Sequence, residues 1–276
     1  MNYPNERLLV GVDWLRDALR DEGTLVLDVR AGRDFALYEA GHIAGALPFS
    51  LSHALGLVDG TPACLLEHAM TRQLAALGVR PEQTVVLYDD AYSTALTQCF
   101  WAFERIGQRE VRILDGGFQV WQAAHAPTRQ GLPETSPAPY HAPARDERLA
   151  TWNWTAAHLT QAQLLDARTP QEWCSGHIPG AVSCNWTTFA VERGDALAPA
   201  PSAIIEARLA QLGVSPEHET ATYCRSGARA SWLYFVLRLM GWEHVRLYDG
   251  SMNDWLLREQ EVRYGPDQEV NSNAKR

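Results

Sequence analysis

Between Tyr223 and Ala230 the chain reads YCRSGARA, which sets one thiol, one glycine and two guanidinium groups within the six residues from Cys224 to Arg229. Cys224 follows the apolar run ETATY and precedes ASWLYFVLRLMG, Ala230 to Gly241. The first run has the character of a strand, and the second that of a buried helix with Gly241 as its C-cap. A thiol at such a turn lies beside backbone N–H groups that lack intrahelical partners, at the positive end of the helix dipole. Gly227 allows the turn to tighten so that these N–H groups converge, while Arg225 and Arg229 add two cations. The arrangement favours the thiolate, the nucleophilic form of cysteine, and offers an anion a site. A cysteine before a helix is otherwise a small buried hydrophobe. Packing alone does not account for two arginines and a glycine beside it, because arginine is seldom fully buried.

The rest of the chain must position that turn. Its 276 residues suffice for one large domain or two ordinary ones, and 46% hydrophobic content provides a core. A net charge of −9 argues against nucleic acid or an anionic membrane surface as partner, so any anion must be held by local geometry. The N-terminus lacks the basic and apolar regions of a signal peptide, and no run is long enough to span a membrane. Five scattered cysteines without a Cys-x-x-Cys pair read as free thiols in a reducing compartment, the cytoplasm by default, with neither a disulfide framework nor a metal site.

An internal repeat organises the sequence. LVLDVR (Leu25–Arg30) returns as LLDAR (Leu164–Arg168), and AGHIAGA (Ala40–Ala46) as SGHIPGA (Ser175–Ala181). LGVRPEQTVVLY (Leu77–Tyr88) returns as LGVSPEHETATY (Leu212–Tyr223), and VRILDGGFQVW (Val111–Trp121) as VRLYDGSMNDW (Val245–Trp255). Gly41 to Gly176 and Leu77 to Leu212 are both 135 positions apart. The expectation is two copies of one α/β domain, each a mainly parallel sheet flanked by helices. The first copy spans residues 1–127, a Pro-rich extended linker 128–148, and the second copy 149–276, with part of the linker expected along the second copy. The repeat places Asp89 opposite Cys224. The first copy reads YDDAYSTA there, with two acids and no thiol, so only the second turn is equipped for chemistry.

On GHIAGA, GHIPGA, LDGGFQVW, YDGSMNDW and a cysteine loop in the second copy alone, nearly the whole chain resembles the tandem rhodanese-domain sulfurtransferases. That resemblance implies an inactive N-terminal copy and a catalytic C-terminal one, with Cys224 as nucleophile. Arg225, Ser226, Gly227, Ala228 and Arg229 would form the substrate-binding loop. It also implies a ping-pong reaction through a Cys224 persulfide, with thiosulfate as donor and cyanide or a thiol as acceptor. The partners would be small molecules, or a protein thiol on the acceptor side, and no cofactor is expected. The donor could instead be 3-mercaptopyruvate. Arg225 favours thiosulfate, Ser226 resembles the mercaptopyruvate enzymes, and Arg229 replaces a small hydroxyl residue common to both. The segment TPQEWCS (Thr169–Ser175) holds Glu172 and no arginine, so a substrate carboxylate is expected to meet like charge there.

Two other classes compete. A cysteine-based phosphatase or arsenate reductase places five residues between cysteine and arginine, whereas four separate Cys224 from Arg229. A sulfur carrier or regulatory module would use the same loop without turnover. Among the remaining residues, His42 and His177 recur in both copies and read as structural. The pairs Asp28/Arg30 and Asp166/Arg168 read as framework ion pairs, Asp115 and Asp249 as turn residues, and Trp121 and Trp255 as core anchors. Cys64, Cys99, Cys174 and Cys184 lack basic neighbours in a loop-to-helix setting and read as structural.

Overall fold

The computed structural model describes residues 2–30, 35–90, 92–194 and 196–265, and in it each half of the chain builds its own parallel sheet. The first half contributes β1 (Leu9–Val10), β2 (Thr24–Asp28), β3 (Leu47–Pro48), β4 (Thr84–Tyr88) and β5 (Glu110–Leu114), in the order β1-β5-β4-β2-β3. The second half contributes β6 (Gln163–Asp166), β7 (Val182–Ser183), β8 (Thr220–Tyr223) and β9 (Val245–Leu247), in the order β7-β6-β8-β9. A single parallel bridge from Leu149 to Leu247 stands where β1 stands in the first copy. Both central strands, TVVLY in β4 and TATY in β8, are almost wholly buried. Parallel strands covered by helices on both faces require such unbroken apolar or hydroxyl-bearing runs.

The repeated framework residues have repeated jobs. Arg30 and Arg168 grip Asp28 and Asp166 at 2.6 Å, all with side chains less than a tenth exposed. Each arginine also donates to the carbonyl of the glycine before the repeated histidine, Gly41 or Gly176. His42 and His177 stack on Tyr38 and Trp173 and bond through Nδ1 to the carbonyls of the same residues. Trp121 and Trp255 are fully buried and donate from Nε1 to Pro127 and Glu261. These contacts are local to each copy, so duplication preserved them.

The two copies meet along α1 (Thr94–Arg105) and α3 (Ala228–Leu239), the helices that follow β4 and β8. Both are buried nearly all round, as a helix between two domains must be. Phe100 and Phe235 meet edge to face at 5.0 Å, an aromatic pair worth about 0.5–1.5 kcal/mol beyond its area. Thr97 and Ser231 share a hydroxyl bond of 2.8 Å, while Glu104 takes bonds from Tyr234 and Arg238.

Two β-hairpins cross the boundary in opposite directions. The hairpin of Leu55–Val58 and Thr61–Leu65 reaches the second copy, where Leu65 N–H donates to Asp249 and Thr61 to Asp254. The hairpin of Ala190–Arg193 and Ala196–Pro199 reaches the first copy, where Arg193 pairs with Asp115. Asp115 and Asp249 are thus more than turn residues.

Most of the linker packs along the first copy, and its end reaches the second, where Arg148 donates to Glu243 O and Arg246 donates to Asp146 O. Thr128–Arg129 pairs antiparallel with His42–Ile43, Ala138 N–H donates to Ala75, and Arg145 N–H donates to Arg105. Tyr140 donates to the buried side chain of Gln108. A Pro-rich segment without periodicity carries no local sign of which surface its backbone groups will find.

Candidate active site

Cys224 lies at the carboxyl end of β8, 1% exposed, with Gly227 as N-cap of α3 at φ +87°. The turn is fastened from behind by α4 (Ser251–Leu257), which follows β9. Ser251 Oγ accepts the N–H groups of Cys224 and Gly227, both at 3.1 Å, and donates to Tyr248 O at 2.7 Å. Its hydroxyl is fully used. The carbonyls of Cys224 and Arg225 accept from Met252 and Asn253 N–H. The N–H groups of Arg225 and Ser226 have no acceptor among the described residues. With the first turn of α3, they leave a cluster of donors around the thiol.

Of the predicted loop residues, Cys224 and Gly227 are buried, Ser226, Ala228 and Arg229 half-buried, and Arg225 exposed. Arg225 forms no ion pair among the described residues. It lines a pocket of about 390 Å³ with Arg168, Glu172, Asn253, Leu256 and Tyr264 among its walls. All lining residues come from the second copy, so this pocket is not a cleft between the domains.

Arg229 corrects the sequence expectation of two free cations. Its Nη1 and Nη2 grip Glu172 Oε2 and Oε1 at 2.6 and 2.9 Å. Glu172 is the third residue of α2 (Pro170–Cys174) and closes a capping box with Thr169. That helix leaves β6, the parallel neighbour of β8, so both groups emerge at the same end of the sheet. The Arg229 guanidinium, a smaller desolvation effect and the Thr169 bonds act on the Glu172 carboxyl, with a net fall to about 2. The Glu172 bond, against burial and with the Cys224 charge as a lesser contribution, holds the Arg229 guanidinium above its ordinary range. Glu172 is therefore a paired anion, and the like charge expected against a substrate carboxylate is neutralised. The argument against 3-mercaptopyruvate from Glu172 falls with it.

The same turn in the first copy is filled by its own side chain. Phe118 N–H donates to Asp89 O as Met252 N–H does to Cys224 O, which confirms the alignment of Asp89 with Cys224. The Asp89 carboxylate accepts Tyr92 and Ser93 N–H at 2.7 and 2.6 Å. An acid held there occupies the anion position as well as repelling a second anion. Asp90 is half exposed and pairs with Arg30 at 3.3 Å.

The rhodanese-like domain family matches this chain twice, over residues 11–124 and 150–258. The chain belongs to the rhodanese family. A thiosulfate sulfurtransferase of Azotobacter vinelandii is 33% identical over 231 residues, covering 80% of this chain and 84% of the relative. The sulfur carrier protein TtuD of Thermus thermophilus is 30% identical, covering 92% and 95%. Among solved structures, the 3-mercaptopyruvate sulfotransferase SseA from Escherichia coli superposes with a TM-score of 0.74 at 26% identity, covering 88% of this chain and 98% of its own. No helix among the described residues is long and apolar enough to cross a membrane. Among the described residues no cluster of His, Cys, Asp or Glu could hold a metal ion.

Two residues behind this rhodanese loop have roles that the sequence reading did not give them. Ser251 occupies φ +53°, where the first copy has Gly117 at φ +60°. A serine replacing a glycine at a left-handed position was the available signal. The other is Asp249, half-buried behind the loop and joined to Leu65 of the first copy. Burial raises its carboxyl from 3.8 to about 6 against the opposing bonds from Leu65 and Gly250 N–H, and the Asp254 charge adds to the rise. A raised carboxyl stabilises the fold below its unfolded value, and that contribution is lost as pH rises through 6. Asp249→Asn does not titrate, so its stability relative to the parent should improve from pH 4 to pH 7 by on the order of 2 kcal/mol. Denaturant melts at both pH values test this, and a constant difference would refute it. The other thiols are unsuited to attack. Burial pushes Cys64 up to about 12, helped by Asp249 and Asp254, and raises Cys99 and Cys184 too. Cys174 is exposed at the end of α2, away from any helix start.

Proposed function

We infer that the chain is a sulfurtransferase that takes the outer sulfur of thiosulfate onto Cys224 and passes it to a thiophile. The thiolate attacks that sulfur, a new S–S bond forms, and the bond to the sulfonate breaks with its electron pair leaving on sulfite. The acceptor then attacks the outer sulfur of the Cys224 persulfide, and the thiolate returns. The N–H groups of the loop stabilise the anionic persulfide without reorganising. The helix dipole and Arg225 draw in the dianionic donor.

The observation that carries this reading is Arg225. It is the loop cation without a carboxylate partner among the described residues, and it stands beside a buried thiol. Arg168 lines the same pocket but is committed to Asp166 and Gly176. A 3-mercaptopyruvate carboxylate therefore has no second unpaired guanidinium in the pocket. Thiosulfate needs only the loop. A phosphatase reading finds less support, since Arg229 is turned onto Glu172 and not left open to a phosphoryl group.

The test is a side-by-side assay of thiosulfate and 3-mercaptopyruvate with cyanide as acceptor. Thiosulfate should have the higher kcat/KM. Arg225→Ala should lower it for thiosulfate roughly 10- to 150-fold by removing one charge-assisted contact. A clear preference for 3-mercaptopyruvate would overturn the assignment of donor. A persulfide carrier serving a protein thiol is the second reading, favoured by the likeness to TtuD over nearly the whole chain. Rapid single-turnover loading without steady-state turnover on small thiophiles would select it.

A further inference from the structure

The proposed transfer leaves one feature of the loop unexplained. Of its two arginines, Arg229 on the first turn of α3 is clamped by an acid from a neighbouring helix. The clamp is built. Glu172 is fixed by the Thr169 capping box, and two parallel N–H···O bonds hold Arg229 in one orientation. Of the five guanidinium donors, two serve Glu172, and the others remain for a bound anion. The charge over the thiol is thereby cut from two cations to a net one.

We propose that Glu172 is a positioning and specificity-determining residue, which holds Arg229 over Cys224 while cancelling its charge, so that a dianion is bound weakly enough to be released. This rests on the sulfurtransferase reading, and it concerns the step that reading leaves open. Thiosulfate enters as a dianion, and sulfite must leave from beside a persulfide that is itself anionic. A loop bearing two uncancelled guanidinium groups would hold the product as firmly as the donor, which is uniform binding without gain in turnover. Glu172 trades some donor affinity for release. The clamp is partly open to solvent, with 27% and 33% of the two side chains exposed, so its effect is moderate.

Glu172→Gln tests this with little risk to the fold, since glutamine also serves at the third position of a capping box. The variant should show a KM for thiosulfate and an inhibition constant for sulfite both lowered about fivefold, with a reduced kcat. The KM for the monoanion 3-mercaptopyruvate should fall less. Unchanged constants, raised constants, or equal changes for both donors would overturn the proposal and leave Glu172 a structural residue. A second readout needs no sulfur transfer. The rate of Cys224 alkylation by the anion iodoacetate, divided by that by neutral iodoacetamide, should rise about fivefold in the variant. Arg229→Gln alone should lower that ratio, because it leaves the Glu172 carboxylate uncompensated beside the thiol, and a raised ratio there would overturn the proposal. If the parent protein transfers no sulfur but the ratio rises in Glu172→Gln, the clamp stands and the donor reading fails. If sulfur is transferred and the ratio is flat, the clamp is refuted alone.

Discussion

Cys224→Ser should abolish sulfur transfer, with turnover reduced by at least about a thousandfold, while the protein stays folded. Oxygen replaces sulfur at a site 1% exposed, so the volume change is small and the Ser251 bonds to the turn involve only backbone N–H groups. What is lost is the chemistry. A serine hydroxyl stays protonated beside this helix start, and no histidine or other base is supplied by the loop to activate it. Intact-mass measurement after thiosulfate treatment gives the complementary result. The parent chain should gain one sulfur atom, removable by cyanide, and the variant none. The thiols of Cys64, Cys99 and Cys184 are all raised by burial, so sulfur found on any of them would break the assignment.

Gly227→Ala is expected to damage both stability and catalysis. At φ +87° an L side chain is strained, and a Cβ there would come within 2.9 Å of Asp249 O and 3.2 Å of Asp249 Cα. Both are main-chain atoms of the segment that carries Ser251, so neither can swing aside. Relief must come from the turn, at the expense of the Gly227 N–H bond to Ser251. A stability loss on the order of 2 kcal/mol is expected. The donors around the sulfur move with the turn, so kcat/KM should fall roughly a hundredfold. Gly213→Ala is the control, because Gly213 has φ +68° and a methyl added there would meet no atom within 4 Å. It carries the strain without the collision and should leave kcat/KM unchanged. Equal kinetic loss in the two variants would show that the approach of Asp249 is irrelevant.

The duplication, the parallel α/β layers and the singular turn at Cys224 were all legible in the sequence. They rest on local information. Apolar runs of strand length, helices ending at glycine and blocks recurring 135 positions apart need no knowledge of what lies opposite them. The contrast between YDDAYSTA and YCRSGARA likewise required only alignment of the copies, and it marked one turn as armed and its twin as not. What tertiary structure alone decided was which groups converge on that turn. Glu172 lies 57 positions from Arg229, Ser251 lies 27 from Cys224, and Leu65 lies 184 from Asp249. Each contact joins elements that are neighbours only because β6, β8 and β9 lie side by side, or because a hairpin of one copy reaches the other. Residue types in a linear chain declare a charge but not its partner. Arg229 therefore read as a free cation until the register of β6 against β8 set an acid within 2.6 Å of it.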